Sequence, residues 1–572
     1  MASSKSKRER RPRRAAGAGA ASASASASAS SASAAAATDP ATRALARRAL
    51  LRSLGIVAAF GLLIPLAYPT PDVWPLAFVS LAGLAWQLRT ATRPRRAMLL
   101  GFTYAFAANL AGYYWITGLL ISFGGFPFAA AFPCYLLLAA YQAMLYGVWA
   151  WGVVWLREHG RVPLWASGPA LLAALEYTVP LLFPWALGES QYLDRPLAQC
   201  ADLFGVFGLT VLVALVNLAL EEGVWRRWLA PPAQRTPVSL RLTGAVAALV
   251  AAAFGYGFWR VHEVDARAAA APKLRVAMVQ PNIGIFDKHD EATGLTRGEL
   301  LQSLTVEAER AGAELALWPE ASYPGWLVSG ASVIPPGSRP HRGFTVPLAF
   351  GTLRIGPPEP PGAGAHRKRM NSLVLAGPDG VVMGAYDKNF LVWFSEKIPF
   401  SDYMPWIDRV LPYSADFEPG RSVPLWDFRG FKLAPNICFE DTLPRWTAHL
   451  EGAPDLIVNS TEDAWFGATT EPYFHIAFAT FRAIESHTAM VRSVNTGPSA
   501  VIDPAGRIVR ASGIFTRDVL VADVPMMHTV TVYQRVGDAL VWACFGAVAA
   551  MTALALVRRR RRTRAAAAAA AA

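Results

Sequence analysis

Residues 431 to 441 read "FKLAPNICFED". An apolar run that ends on a cysteine, with a glutamate two residues further on, predicts a strand that delivers a reactive group to the edge of a sheet. The pattern repeats in both directions. "LRVAMVQ" (274–280), "ELALWPE" (314–320), "SLVLAGP" (372–378) and "DLIVNS" (455–460) are further short apolar or β-branched runs, with helical pieces at 296–311 and 471–487. Strands alternating with amphipathic helices predict a layered α/β domain whose working residues sit in loops at the strand ends.

Outside this segment the chain changes character. Seven apolar stretches precede it, near 49–68, 72–88, 98–120, 126–156, 164–185, 200–220 and 242–259, and an eighth follows at 539–557. Most approach the roughly 20 residues an α-helix needs to cross the hydrocarbon layer. The second and seventh are short, and the fifth carries Glu176 and prolines. With 53% hydrophobic and only 17% charged residues among 572, a membrane protein is the expectation. The fold class is therefore an α-helical membrane bundle of about eight spans plus the α/β domain.

The net charge of +13 could suggest nucleic acid, but the charges sit in two end blocks, "KSKRERRPRR" (5–14) and "RRRRRTR" (558–564), and in short loops. Such placement fits anchors facing anionic headgroups and argues against a nucleic-acid partner. Arg89, Arg93, Arg95 and Arg96 mark one loop, Arg157 and Arg161 a second, and Arg226, Arg227, Arg235 and Arg241 a third, while the alternate loops hold only Arg195. This puts the N-terminus inside and residues 260–538 across the membrane. The expected organisation is a disordered basic and Ala/Ser-rich tail (1–48), a seven-helix membrane domain (49–259), an outer domain (260–538), a last helix (539–557) and a basic cytoplasmic tail (558–572). No A-x-A site follows the first helix and more spans come after it, so it is not read as a cleaved signal.

Of the four cysteines, Cys134, Cys200 and Cys544 lie in apolar stretches and Cys438 alone lies in water-soluble sequence. It has no evident disulfide partner, and no Cys/His spacing suggests a metal site. Glu320 in "LALWPEASYP" and Lys388 in "GAYDKNFLVWFSEKIPF" also follow short strands. A carboxylate can take a thiol proton, a thiolate can attack a carbonyl, and an ammonium can stabilise the oxyanion, so the three form an acyl-transfer set that needs no metal or organic cofactor. Taken singly, each also reads as core filler, a turn or a solvated face.

"LWPE", "KNFLVWFSE", "ICFED", "NSTEDAWFG" (459–467) and "FRAIESHTAMVRSVNTGPSAVIDPAGRIV" (481–509) resemble the nitrilase superfamily, and with the flanking spans the chain resembles the apolipoprotein N-acyltransferases over roughly residues 49–557. The resemblance implies an αββα sandwich on the periplasmic face of a bacterial inner membrane. It implies a ping-pong reaction in which a phospholipid, commonly phosphatidylethanolamine, acylates the cysteine, and the acyl group then passes to the α-amine of the S-diacylglyceryl cysteine of an apolipoprotein. By motif, Cys438 matches the nucleophile, Glu320 the general base, Lys388 the oxyanion lysine, Glu396 a second glutamate that orients the site, and Glu440 the glutamate of the family's C-Y-E. Glu440 has an alternative reading as a structural ion pair. A monomer is expected.

Several positions depart from the family pattern: Phe439 stands where Tyr is usual, "KHD" (288–290) leaves His289 in place of an aromatic, Glu462 replaces a common Asn, and "VWFSEK" replaces a form with Pro and Gly. The stretch from Phe390 to Trp406, with Leu391, Val392, Trp393, Phe394, Ile398, Phe400, Tyr403 and Met404, is dense apolar surface for a loop beside reactive groups. It reads as a path for acyl chains at the interface or as plain core. Trp393, Phe394, Phe439 and Trp465 are the candidate substrate-binding residues. The competing functions are a membrane-anchored amidase or thioesterase that uses water as acceptor, and a non-catalytic membrane scaffold or transporter with a dead nitrilase-like domain.

Overall fold

A computed structural model describes residues 40–229, 232–234, 240–289, 291–356, 368–398, 403 and 416–571. The expected tail over 1–39, and Phe400, Met404 and Trp406 of the aromatic stretch, lie outside the described residues. The chain forms two compact units, Met1–Ile56 and Val57–Ala572. Of the first, the described part is helical from Pro40 onward.

The α/β domain consists of two sheets lying face to face. β1 (Lys273–Gln280), β2 (Leu315–Leu317), β3 (Trp326–Val328), β4 (Leu348–Ile355), β5 (Arg369–Ala376), β6 (Val382–Asp387) and β13 (Asp518–Pro525) make one sheet, in the order β13-β1-β2-β4-β5-β6 with β3 also paired to β4. β7 (Trp426–Phe428), β8 (Phe431–Ile437), β9 (Leu456–Thr461), β10 (Ala489–Val494), β11 (Ala500–Ile502) and β12 (Ile508–Ala511) make the other, in the order β12-β11-β10-β9-β8-β7.

Alternation of side chains along each strand divides the apolar residues between two cores. Leu274, Val276 and Met278 of β1 meet Leu433, Ile437, Leu456 and Val491 of the opposite sheet. Val279, Ala316, Phe350 and Val374 instead face Leu301 and Leu304 of the helix Gly294–Arg310. Ile476, Ala479 and Ala483 of the helix Glu471–Ser486 pack on the second sheet, which completes an αββα sandwich. β1, β2 and β4 are parallel, as are β8, β9 and β10, so their carboxyl ends fall together. Ligands are usually held at such an edge.

Among the described residues five helices are long and apolar enough to cross a membrane: Pro40–Leu66, Phe128–Gly160, Ala201–Gly223, Arg241–Ala270 and Ala539–Ala571. The other three expected spans are shorter helices. Residues 72–88 give only Ala77–Thr90, because Trp74–Leu76 is a 3-10 turn around Pro75. Residues 164–185 give Leu164–Thr178, which ends at an extended Val179 just before Pro180, where the proline ring disfavours helical backbone. At 14 and 15 residues, each covers about 21–23 Å against a hydrocarbon layer of about 30 Å. Residues 98–120 divide into Pro94–Gly112 and Ile116–Ser122.

Two arginines of the basic loops and one of the C-terminal block meet at one end of the bundle. Arg157 donates to the carbonyls of Leu88 (2.7 Å) and Arg89 (3.1 Å), Arg89 pairs with Glu221 (2.6 Å), and Arg562 donates to the carbonyl of Glu158 (3.0 Å). The α/β domain packs elsewhere on the helices through aromatic rings. Phe466 lies 5.2 Å from Trp115, Trp465 lies 5.0 Å from Phe123, and Phe474 stacks on Tyr68 at 5.6 Å.

Candidate active site

Glu320 follows β2, Lys388 follows β6 directly, and Cys438 follows β8, so three strand ends bring the sequence-predicted set to one edge. Lys388 is almost entirely buried, with 1% of its side chain exposed. Its Nζ lies 3.1 Å from Glu320 Oε1 and 2.9 Å from Glu396 Oε2. Burial alone would lower this ammonium, but Glu320 and Glu396 hold it well above its ordinary value. The lysine is therefore a fixed positive charge.

Asn371, in the middle of β5, completes this group. Its Nδ2 donates to Glu320 Oε1 at 2.6 Å and to Glu396 Oε1 at 2.7 Å, bridging two carboxylates that would otherwise repel. Glu396 is fixed further by the Val392 amide at 2.9 Å. Sequence reasoning missed Asn371; the available signal was a polar residue inside the apolar run "RMNSLVLA".

Cys438 opens the 3-10 turn Cys438–Thr442 with φ +51°, a left-handed conformation that a side-chain-bearing residue adopts at a cost. β8 ends there and the chain turns. Burial pushes its thiol well above the ordinary value, Glu320 pushes the same way, and Lys388 opposes. The resting sulfur is thus a protonated thiol beside a carboxylate and an ammonium. Such a thiol attacks only as a base removes its proton.

The Glu440 carboxylate accepts from Tyr386 OH (2.7 Å) and from the amides of Asn389 (2.7 Å), Phe390 (3.1 Å) and Ile437 (2.9 Å). It ties the turn after β6 to the end of β8. Burial pushes it up to about 7, against Tyr386, Lys388 and the Phe390 and Ile437 amides. Next to it, Asp441 lies 2.9 Å from Arg492 Nε and 2.8 Å from His475 Nε2, and His475 Nδ1 lies 2.8 Å from Asp463. Burial and Arg492 would lower His475, but Asp441 and Asp463 raise it to about 10. This closed set of charges underlies the cysteine turn and was not legible in the sequence.

The four candidate substrate-binding residues separate. Trp393 and Phe394 are about half exposed, at 47% and 52%, and Tyr403 is more exposed still. Phe439 packs partly buried against the core that contains Cys438. Trp465 meets Phe123, which also stacks on Phe286 at 5.8 Å.

Residues 60–219 match the apolipoprotein N-acyltransferase N-terminal domain and residues 275–533 the carbon-nitrogen hydrolases. An apolipoprotein N-acyltransferase of Geobacter metallireducens is 32% identical over 504 residues, covering 87% of this chain and 94% of its own. One of Azotobacter vinelandii is 33% identical over 514 residues, covering 88% and 94%. Among solved structures, an amidase from Nesterenkonia sp. AN1 aligns over 48% of this chain and 99% of its own at 21% identity and a TM-score of 0.33. The nitrilase-like fold rests on the two sheets and the family match. The chain is an acyltransferase and belongs to the apolipoprotein N-acyltransferase family.

Proposed function

We propose that the chain N-acylates the N-terminal S-diacylglyceryl cysteine of apolipoproteins, taking the acyl group from a phospholipid through a thioester on Cys438. The observation that carries this reading is the meeting of Cys438, Glu320 and Lys388 at one edge of the two-sheet sandwich, in a chain whose other half is apolar helix. In the first half-reaction Glu320 takes the thiol proton and the sulfur attacks an ester carbonyl of the lipid. Lys388 stabilises the oxyanion, and the proton passes to the leaving lysophospholipid hydroxyl. In the second, the neutral α-amine of the lipoprotein attacks the thioester, Glu320 accepts a proton from it, and the thiol is regenerated. Glu396 and Glu440 position these groups.

In this reading all eight apolar stretches sit in or at the bilayer, with residues 260–538 on the periplasmic side and phosphatidylethanolamine as donor. The gathering of Arg89, Arg157 and Arg562 at one end of the bundle supports that orientation. The exposed Trp393, Phe394 and Tyr403 suit a loop that dips into the interface to meet acyl chains.

The test is intact-mass analysis of the purified protein after incubation with phosphatidylethanolamine. A gain of one acyl group, removed by hydroxylamine and absent in Cys438→Ser, is expected; no adduct on the wild type would refute the thioester. The match to carbon-nitrogen hydrolases favours water as the second acceptor to consider. Release of free fatty acid at the same rate with and without a diacylated lipopeptide would establish that reading instead.

A further inference from the structure

Lys288, beside the departure at His289, and Glu462, which stands where Asn is common, meet in space. Lys288 lies on the short helix Ile285–His289 that follows β1. Its side chain is 9% exposed and forms an ion pair with the Glu462 carboxylate, itself 4% exposed. The same Nζ donates to the main-chain carbonyl of Glu320 at 2.6 Å. One ammonium thus bonds both to the backbone of the proposed base and to the loop after β9.

We propose that Lys288 is a positioning residue for the acyl transfer, a tie that holds the Glu320 turn and the Glu462 loop in fixed relation on either side of Cys438. This rests on the reading of Cys438 and Glu320 given above. The Glu462 end is anchored independently. Its Oε1 accepts from the Ala464 amide at 3.0 Å, and both its oxygens accept from Asn495 Nδ2, at 3.1 and 3.0 Å. Asn495 in turn accepts from the Ile283 amide at 2.9 Å and donates to the Ile283 carbonyl at 2.8 Å. A closed ring of bonds therefore joins the segments after β1, β9 and β10, and Lys288 ties the Glu320 turn after β2 to it.

The Cys438 sulfur lies inside the reach of this ring. Glu320 acts on it as a charge, and the Glu462 main chain acts on it through a hydrogen bond that favours the thiolate. Both groups are placed by segments that Lys288 joins. A shift of about 1 Å in either would misalign base and nucleophile, which typically costs up to about 100-fold in rate.

The experiment uses the full chain in detergent, comparing wild type, Lys288→Arg, Lys288→Met and the double variant Lys288→Met/Glu462→Gln. Lys288→Met leaves the buried Glu462 charge uncompensated, so some loss of folding stability is expected from that variant alone. The double variant removes the stranded charge but also lacks the bond to the Glu320 carbonyl. Its melting temperature is expected near that of wild type, while thioester formation from phosphatidylethanolamine stays roughly 10- to 100-fold slow. Lys288→Arg is expected to retain more activity than either. A double variant that forms the thioester at the wild-type rate, or a Lys288→Met variant that does so, overturns the proposal. Alkylation of Cys438 by iodoacetamide at pH 8 provides a readout that needs no lipid. If the wild type forms no acyl adduct, the acyl-carrier reading fails, and this arm alone decides the inference: slower alkylation in the double variant supports the tie, and equal rates refute it.

Discussion

Lys388 is a cation with 1% of its side chain exposed, and it persists there because Glu320 and Glu396 stand within 3.1 Å of it. Removing one partner of a buried ion pair strands the others and typically costs about 3–5 kcal/mol. Lys388→Met is therefore expected to lower the melting temperature in detergent markedly. It should also slow thioester formation by roughly 10²–10³, the usual effect of deleting an oxyanion donor. A Lys388→Met variant that melts with the wild type would show that the carboxylates do not depend on the ammonium. Cys438, Glu320 and Lys388 were legible in the sequence because each follows a short strand and carries a reactive group. Asn371 was not, because its meaning comes from partners 51 and 25 residues away that only the folded sheet brings to it. Glu440 was legible as a member of the site, but its use in bracing main-chain amides depends on the turn after β6 meeting the end of β8.

At the scale of elements, the site depends on how closely β4 approaches the Glu320 turn. A Cβ added at Gly351 would lie 2.3 Å from the Pro319 carbonyl oxygen and 2.6 Å from Glu320 Cα. These are backbone atoms that cannot swing aside, so glycine is required there for close approach. Gly351→Ala should displace the Glu320 turn and lower turnover roughly 10- to 100-fold. Wild-type turnover in that variant would mean that the turn has room to spare. Strand periodicity made the sandwich legible, since Leu274, Val276 and Met278 alternate with residues of the opposite face. The lengths of the membrane helices were less so. Hydropathy sums over a window and does not register where Pro75 delays a helix or Pro180 stops one.

Across the whole molecule, burial without full compensation gives the folded chain extra protons. Burial pushes Glu440 and Glu485 up to about 7 and Glu471 up to about 8, from an ordinary 4.5. A group raised in this way contributes stability that is fully present below its unfolded value and is lost as pH rises through its folded value. His475 acts in the same direction over a higher range, since Asp441 and Asp463 outweigh burial and Arg492 and raise it from 6.5 to about 10. Asp441 opposes them, because His475 and Arg492 hold it below its ordinary 3.8 against burial, but its effect is confined to more acidic solution. Between about pH 5 and pH 9 the contributions of these glutamates and His475 fall together. The melting temperature in detergent should therefore drop by several degrees between pH 5.5 and pH 8.5, at about 2–4 °C per kcal/mol for a domain of this size. Glu440→Gln, which removes the titration and keeps one acceptor oxygen for Tyr386 and the Asn389 and Phe390 amides while losing the acceptor for the Ile437 amide, should flatten part of that slope. A profile that rises toward pH 8.5 would mean that the buried glutamates are already ionised in the folded chain, and that the bracing of the cysteine turn is carried by charge rather than by neutral hydrogen bonds.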